Sequence, residues 1–119
     1  MYQQNISIAT AWFAAFEAKD IEQLLSLYHD DAEHYSPKLK LRQPETIGLI
    51  KGKSMLRQWW QEAFIRMPSL KYKVLTLTAN DKRVFMEYIR HVDGEADLQV
   101  GEVLEIENGK IKASRVYHS

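Results

Sequence analysis

Two hydrophobic rhythms divide the chain. As far as Met67, apolar residues mostly return every three or four positions; from Leu70 onward they return every two. The first is the spacing of a helix with one buried stripe, the second that of a strand with one buried face. Ile8, Trp12, Ala15, Phe16 and Lys19 predict a first helix with Trp12 and Phe16 on one stripe. Asp20 opens a second, with Gln23 placed three residues on as in a capping box. Ile21, Leu24, Leu25 and Tyr28 would form its buried face, and it is expected to stop near His29-Asp30-Asp31, since acidic groups are unfavourable at a helix C-terminus. Ala32 to Ser36 reads as a short strand ended by Pro37. The stretch from Lys38 to Lys51, with Pro44 and Gly48, reads as a loop long enough to be a lid or a mobile segment. A third helix is expected from Lys53 to Met67, apolar at Leu56, Trp59, Trp60, Ala63, Phe64 and Met67 and ended by Pro68.

The period-two region resolves into strands over Val74–Ala79, Val84–Val92, Leu98–Ile106 and Ile111–His118. Asn80-Asp81, Asp93-Gly94 and Asn108-Gly109 supply the turns, and strands joined so tightly must run antiparallel. The predicted fold is α+β: a cone-shaped, curved, mixed or antiparallel sheet with three N-terminal helices on its concave face, a cystatin-like roll. Val84, Met86 and Tyr88 would face inward, but Phe85 and Ile89 are apolar at the opposite parity. The outer face therefore also needs cover, and a second copy of the chain is the simplest one, which predicts a homodimer through that face.

A chain of 119 residues is expected to form one domain over 1–119 with a core of its own. Its 16 basic and 16 acidic residues balance, which argues against nucleic acid or an anionic membrane as partner. Cysteine is absent, so disulfides, thiolate metal sites and cysteine nucleophiles are excluded. Met1-Tyr2-Gln3-Gln4-Asn5 does not begin a signal peptide or a membrane span, and a cytoplasmic location is expected.

Trp12-Phe13, Asp20-Ile21, Leu24-Leu25, Tyr28-His29-Asp30-Asp31-Ala32, Gly52 before the third helix, and Gly109-Lys110-Ile111 leading into Val116-Tyr117 recur in this order across most of the chain. In this the sequence resembles the nuclear transport factor 2-like superfamily, which includes SnoaL-like polyketide cyclases and ketosteroid isomerases. The resemblance implies a cone-shaped α+β barrel whose interior holds a small ligand, often in a dimer. It also allows a residue-by-residue comparison with the ketosteroid isomerase pattern. The family's general-base aspartate corresponds to Ser36, its tyrosine oxyanion donor to Trp12, its second oxyanion acid to Glu102, and a pocket aromatic near the end of the last strand to His118. Without the aspartate, isomerase chemistry of that particular type is not expected.

Glu102 is the leading candidate for chemistry, because it shares a parity with Val100, Leu104 and Ile106 and so puts one carboxyl on an apolar face. There its pKa would rise toward a useful value; the plainer alternative is an ion pair with Arg115 or Arg90. His118 is its natural acid–base partner if it shares that face. A two-residue turn at Asn108-Gly109 would set Arg115 opposite Glu102 and turn His118 outward; a three-residue turn with a bulge at Gly109 would set Ser114 there and turn His118 inward. Tyr88 or Trp12 would donate to a developing oxyanion. Tyr28, His34, Ser36, Trp59, Trp60 and Met86 are the expected pocket walls, and Arg90 would bind a carboxylate near the mouth.

Gly48-Leu49-Ile50-Lys51-Gly52-Lys53-Ser54 is one residue short of a phosphate loop, and Asp30, Asp31, Glu33 and His34 match no metal spacing. Neither a metal nor a cofactor is expected. The leading functional reading is a protein that binds a small, apolar carbonyl-type ligand and performs cofactor-free acid–base chemistry of isomerase, cyclase or lyase type. The alternatives are a non-catalytic carrier or sensor, and a dimeric association module with its core packed solid.

Overall fold

α1 (Tyr2–Ala18) buries Trp12, Ala15 and Phe16 of the expected stripe, with Asn5 and Ala9 beside them and Ile8 and Lys19 only half-buried, in a computed structural model that describes residues 2–118. α2 (Ile21–Ser26) is capped by Asp20, whose side chain accepts from the backbone N–H of Gln23. This helix is shorter than its periodicity suggested. Leu27 closes it, and Tyr28 already belongs to β1 (Tyr28–Tyr35), where it pairs with Ile111. The acidic run therefore lies inside a strand. Asp30 and Asp31 are exposed where the register with the neighbouring strand breaks, so they meet solvent rather than a helix end.

The stretch from 38 to 51 is ordered structure, not the expected loop. Ser36 accepts from the N–H of Lys38 and caps α3 (Pro37–Arg42), with Pro37 at the first helical position. A single 3₁₀ turn (Pro44–Thr46) follows, then β2 (Leu49–Lys51), which pairs antiparallel with the end of β1. α4 (Lys53–Arg66) buries Leu56, Trp59, Trp60, Ala63 and Phe64.

The meander comprises β3 (Lys71–Ala79), β4 (Arg83–His91), β5 (Leu98–Glu107) and β6 (Lys110–Tyr117). With β1 and β2 it makes one curved, unclosed sheet in the order β2-β1-β6-β5-β4-β3, in which only the β1–β6 pair is parallel. α1 packs on β3 and β4 and α4 on β1 and β2, so the inner face becomes a core of Tyr28, Val84, Met86, Tyr88, Val100, Leu104 and Ile111.

The turn between β5 and β6 combines features of the two expected registers. Asn108 and Gly109 form a two-residue turn with φ of 53° and 78°, between Glu107 and Lys110, which pair. Pairing then slips: Ile106 faces Ile111, but Glu105 faces Ala113. The bulge at Lys112 thus sets Val116 opposite Glu102 and Ser114 opposite Leu104. On the outer face Phe85 stands beside Val103, with its ring over Gly101; Phe85 and Tyr117 are both exposed.

Candidate functional site

The inward side chains of β4, β5 and β6 meet those of α1, α3 and α4 around a cavity of about 370 Å³, within the range of small-molecule pockets. Its deeply buried lining includes Trp12, His34, Trp60, Tyr88, Val100 and Glu102. Leu41, Arg42, Arg66, Asp93 and Glu95 are exposed lining residues and form the rim.

Glu102 is 1% exposed. It makes no ion pair with Arg115 or Arg90, which bind Glu105 and Glu95. Its partner is the Tyr88 hydroxyl, which donates to Oε1 at 2.7 Å, while Oε2 is buried without a hydrogen-bond partner among the described residues. Burial pushes the carboxyl up to about 7, against the smaller downward pull of the Tyr88 hydrogen bond. Burial first, and then the Glu102 charge, raise Tyr88 well above the ordinary tyrosine value, so it remains a donor at physiological pH.

A buried chain of hydrogen bonds behind the cavity wall joins two of its lining residues, Trp12 and His34. Trp12 donates from Nε1 to the Tyr28 hydroxyl (3.0 Å), Tyr28 donates to Ser114 Oγ (3.0 Å), and Ser114 lies 2.6 Å from His34 Nδ1. Tryptophan can only donate, so Tyr28 accepts from Trp12; the donor in the Ser114–His34 bond is set by the imidazole tautomer. Burial lowers the His34 pKa to about 4, which keeps the imidazole neutral near pH 7. Its ring packs against Trp60 with centroids 5.2 Å apart.

Glu102, His118, Tyr88, Trp12, His34, Ser36, Trp59, Trp60 and Arg90 all line this one cavity. The bulge at Lys112 puts His118, one position beyond β6, on the Glu102 face. Tyr28 and Met86 are corrections: both are 0% exposed core residues outside the lining. Tyr28 is packed against Trp60 and tied by its hydroxyl to Trp12 and Ser114, and α1 covers the sheet where Met86 lies. Of the two expected oxyanion donors, Tyr88 donates to Glu102 and Trp12 to Tyr28 in this structure.

Several lining residues escaped the sequence reading, among them Lys38, Arg42 and Arg66 at the mouth and Tyr72 within. Tyr72 faces Arg90 in β3 and stacks on Trp12 (centroids 5.8 Å apart, planes 9° apart); extending the period-two run back past Val74 would have found it. Ser114, considered in the sequence only as a neighbour of Glu102 across the hairpin, instead bonds Tyr28 and His34, 86 and 80 residues away, for which no local signal exists. No cluster of three metal-ligating side chains occurs among the described residues, and Asp30 of the acidic run pairs with Lys53 at 3.4 Å.

A curved, unclosed six-stranded sheet with helices packed on it is the architecture of the nuclear transport factor 2-like superfamily. Residues 9–114 match the model of the SnoaL-like domain, and the chain belongs to that family. Its fold recurs in a SnoaL-like protein of unknown function from Burkholderia thailandensis (22% identity, TM-score 0.89, covering 100% of this chain and 97% of that one). It recurs in a candidate ketosteroid isomerase from Kribbella flavida (18%, 0.82, 99% and 79%). TerC co-crystallised with polyporic acid has it too (21%, 0.84, 98% and 92%). At these identities the likeness is one of fold. No curated protein matches the sequence.

Proposed function

We propose that the chain binds a small, largely apolar carbonyl compound in this cavity and moves a proton on it without a cofactor, with Glu102 as the base. The observation that carries this reading is a fully buried carboxyl with a pKa of about 7, held by one hydrogen bond on the wall of a cavity. A base poised near the working pH is both available and strong enough to act. Glu102 would take a proton from the carbon next to the carbonyl. The electrons of that C–H bond pass to the carbonyl oxygen, giving an enolate. In the tautomer that carries its proton on Nε2, neutral His34 would stabilise the oxygen. In a β,γ-unsaturated ketone the enolate extends to a dienolate, and Glu102 returns the proton to the γ-carbon, so that the double bond moves into conjugation and no atom is gained or lost. Tyr88 positions Glu102, and His118 adds a second proton-carrying group to the same cavity. That TerC was crystallised with polyporic acid supports a small organic ligand in this fold.

The test is solvent deuterium exchange at the α-carbon of a panel of aryl and alicyclic ketones, including 2-acetonaphthone, followed by NMR. The expected result is exchange by the wild-type protein and none by a folded Glu102→Gln variant. Exchange by the variant at the wild-type rate refutes the mechanism.

A second reading, a non-catalytic carrier or sensor, is favoured by one observation: the hydroxyl of Tyr88 and the indole N–H of Trp12 are both engaged within the protein. Ketones that bind without exchanging would establish it. The open cavity counts against an association module with a solid core. The partly apolar outer face, with Phe85, Val103 and Tyr117, supports assembly of the working form as a homodimer through that face.

A further inference from the structure

The rim of the cavity differs in charge from the chain as a whole. The protein carries 16 basic and 16 acidic residues, yet the cavity lining holds Lys38, Arg42, Arg66 and Arg90 against Asp93 and Glu95 at the mouth. Lys38, Arg42 and Arg66 form no ion pair among the described residues; Arg66 lies over the Trp59 ring, 6.0 Å from its centroid.

Of these four cations Arg90 alone has an ion-pair partner among the described residues, and its side chain is 11% exposed. One of its nitrogens binds Glu95 at 3.1 Å, but the other is directed at the Met67 sulfur at 3.0 Å. A thioether is a weak acceptor for a guanidinium. An oxyanion would replace it with a much stronger, charge-assisted bond. Burial and then the nearby Arg42 charge hold Arg66 below the usual arginine value, so these cations feel one another across the mouth. Inside the rim the walls are Trp12, Trp60, Tyr72 and Tyr88.

We propose that the natural ligand is an amphipathic organic anion, with an apolar ring system held among the interior aromatics and a carboxylate bound at the rim by Arg90, Arg66 and Arg42. This rests on the pocket-binding reading above and narrows its substrate class to a carbonyl compound that also carries an acid group. The carboxylate would anchor one end of the molecule at the mouth, so that the other end reaches Glu102.

The test uses two probes with the same ring, 2-naphthoate and the neutral 2-acetonaphthone, titrated by calorimetry into the protein at low salt. The expected result is that naphthoate binds about tenfold more tightly than the ketone, a difference one charge-assisted contact supplies. In an Arg42→Gln/Arg66→Gln double variant, which leaves only Arg90 of the three, that preference should fall severalfold while ketone affinity is kept. Glu95→Gln, which frees Arg90, should tighten naphthoate binding alone. If the ketone binds as well as naphthoate, or the double variant keeps the preference, the anion proposal is overturned and the pocket reading stands. If neither probe binds, both fall. An unchanged naphthoate affinity in Glu95→Gln would remove Arg90 from the proposed site.

Discussion

Replacing Glu102 with glutamine should make the protein more stable, and the gain should appear only as pH rises. Burial raises this carboxyl from 4.5 to about 7. Below pH 4.5 it is protonated in both the folded and the unfolded chain and contributes no penalty. As pH rises from 4.5 through about 7, the unfolded chain gives up its proton first, so stability falls; above about 8 the penalty is complete. At 1.36 kcal/mol per pH unit the loss amounts to roughly 3 kcal/mol. His34 works in the opposite direction. Its pKa is lowered from 6.5 to about 4, so the unfolded chain takes up a proton first and stability falls as pH drops from 6.5 to 4. In the wild-type protein the two slopes overlap and largely cancel between pH 4.5 and 6.5. In Glu102→Gln only the His34 slope remains, and the glutamine carbonyl still accepts from Tyr88. Urea unfolding of both proteins, followed by tryptophan fluorescence from pH 4.5 to 8, gives the difference in stability, from which the shared groups drop out. The difference is expected to move by roughly 3 kcal/mol in favour of the variant over that range. A difference that stays constant with pH would show that Glu102 is not a buried carboxyl of raised pKa, and the argument for its role as a base would go with it.

Tyr88→Phe removes the one hydrogen bond that Glu102 receives. A hydrogen bond to a charged group is worth about 1.5–3 kcal/mol, so the Glu102 titration should move up by about one to two pH units. The side-chain carboxyl carbon of labelled glutamate reads this by NMR, and an unmoved titration would mean that the bond does not form in solution. On the outer face, Phe85→Asp would place a charge at the centre of the proposed dimer contact and should yield a folded monomer by sedimentation. A dimer that survives the substitution would place the contact elsewhere.

The meander was legible because each of its signals is local. Period-two apolar runs and the Asn108-Gly109 turn need no distant partner to be read. Glu102 was legible for the same reason, as a carboxyl breaking an apolar parity. The segment from 38 to 51 was not. Its helix has six residues and its strand three, too few for either periodicity to emerge, and their order comes from the cap at Ser36 and the pairing with β1. Tyr28 fits a helical stripe as well as a strand start, and pairing with Ile111 decides the matter. Long-range register also decides the chemistry. A slip of one residue between β5 and β6 would send Glu102 and His118 to opposite faces of the sheet. It would also carry Ser114 away from Tyr28 and His34, leaving Nδ1 of the buried imidazole without its hydrogen-bond partner. The tight turn at Asn108-Gly109 alone gives that unproductive register, and the extra residue Lys112 corrects it. A solvent-facing lysine on a hairpin, far from any candidate chemistry by its own character, is therefore what brings the two halves of the site onto one wall.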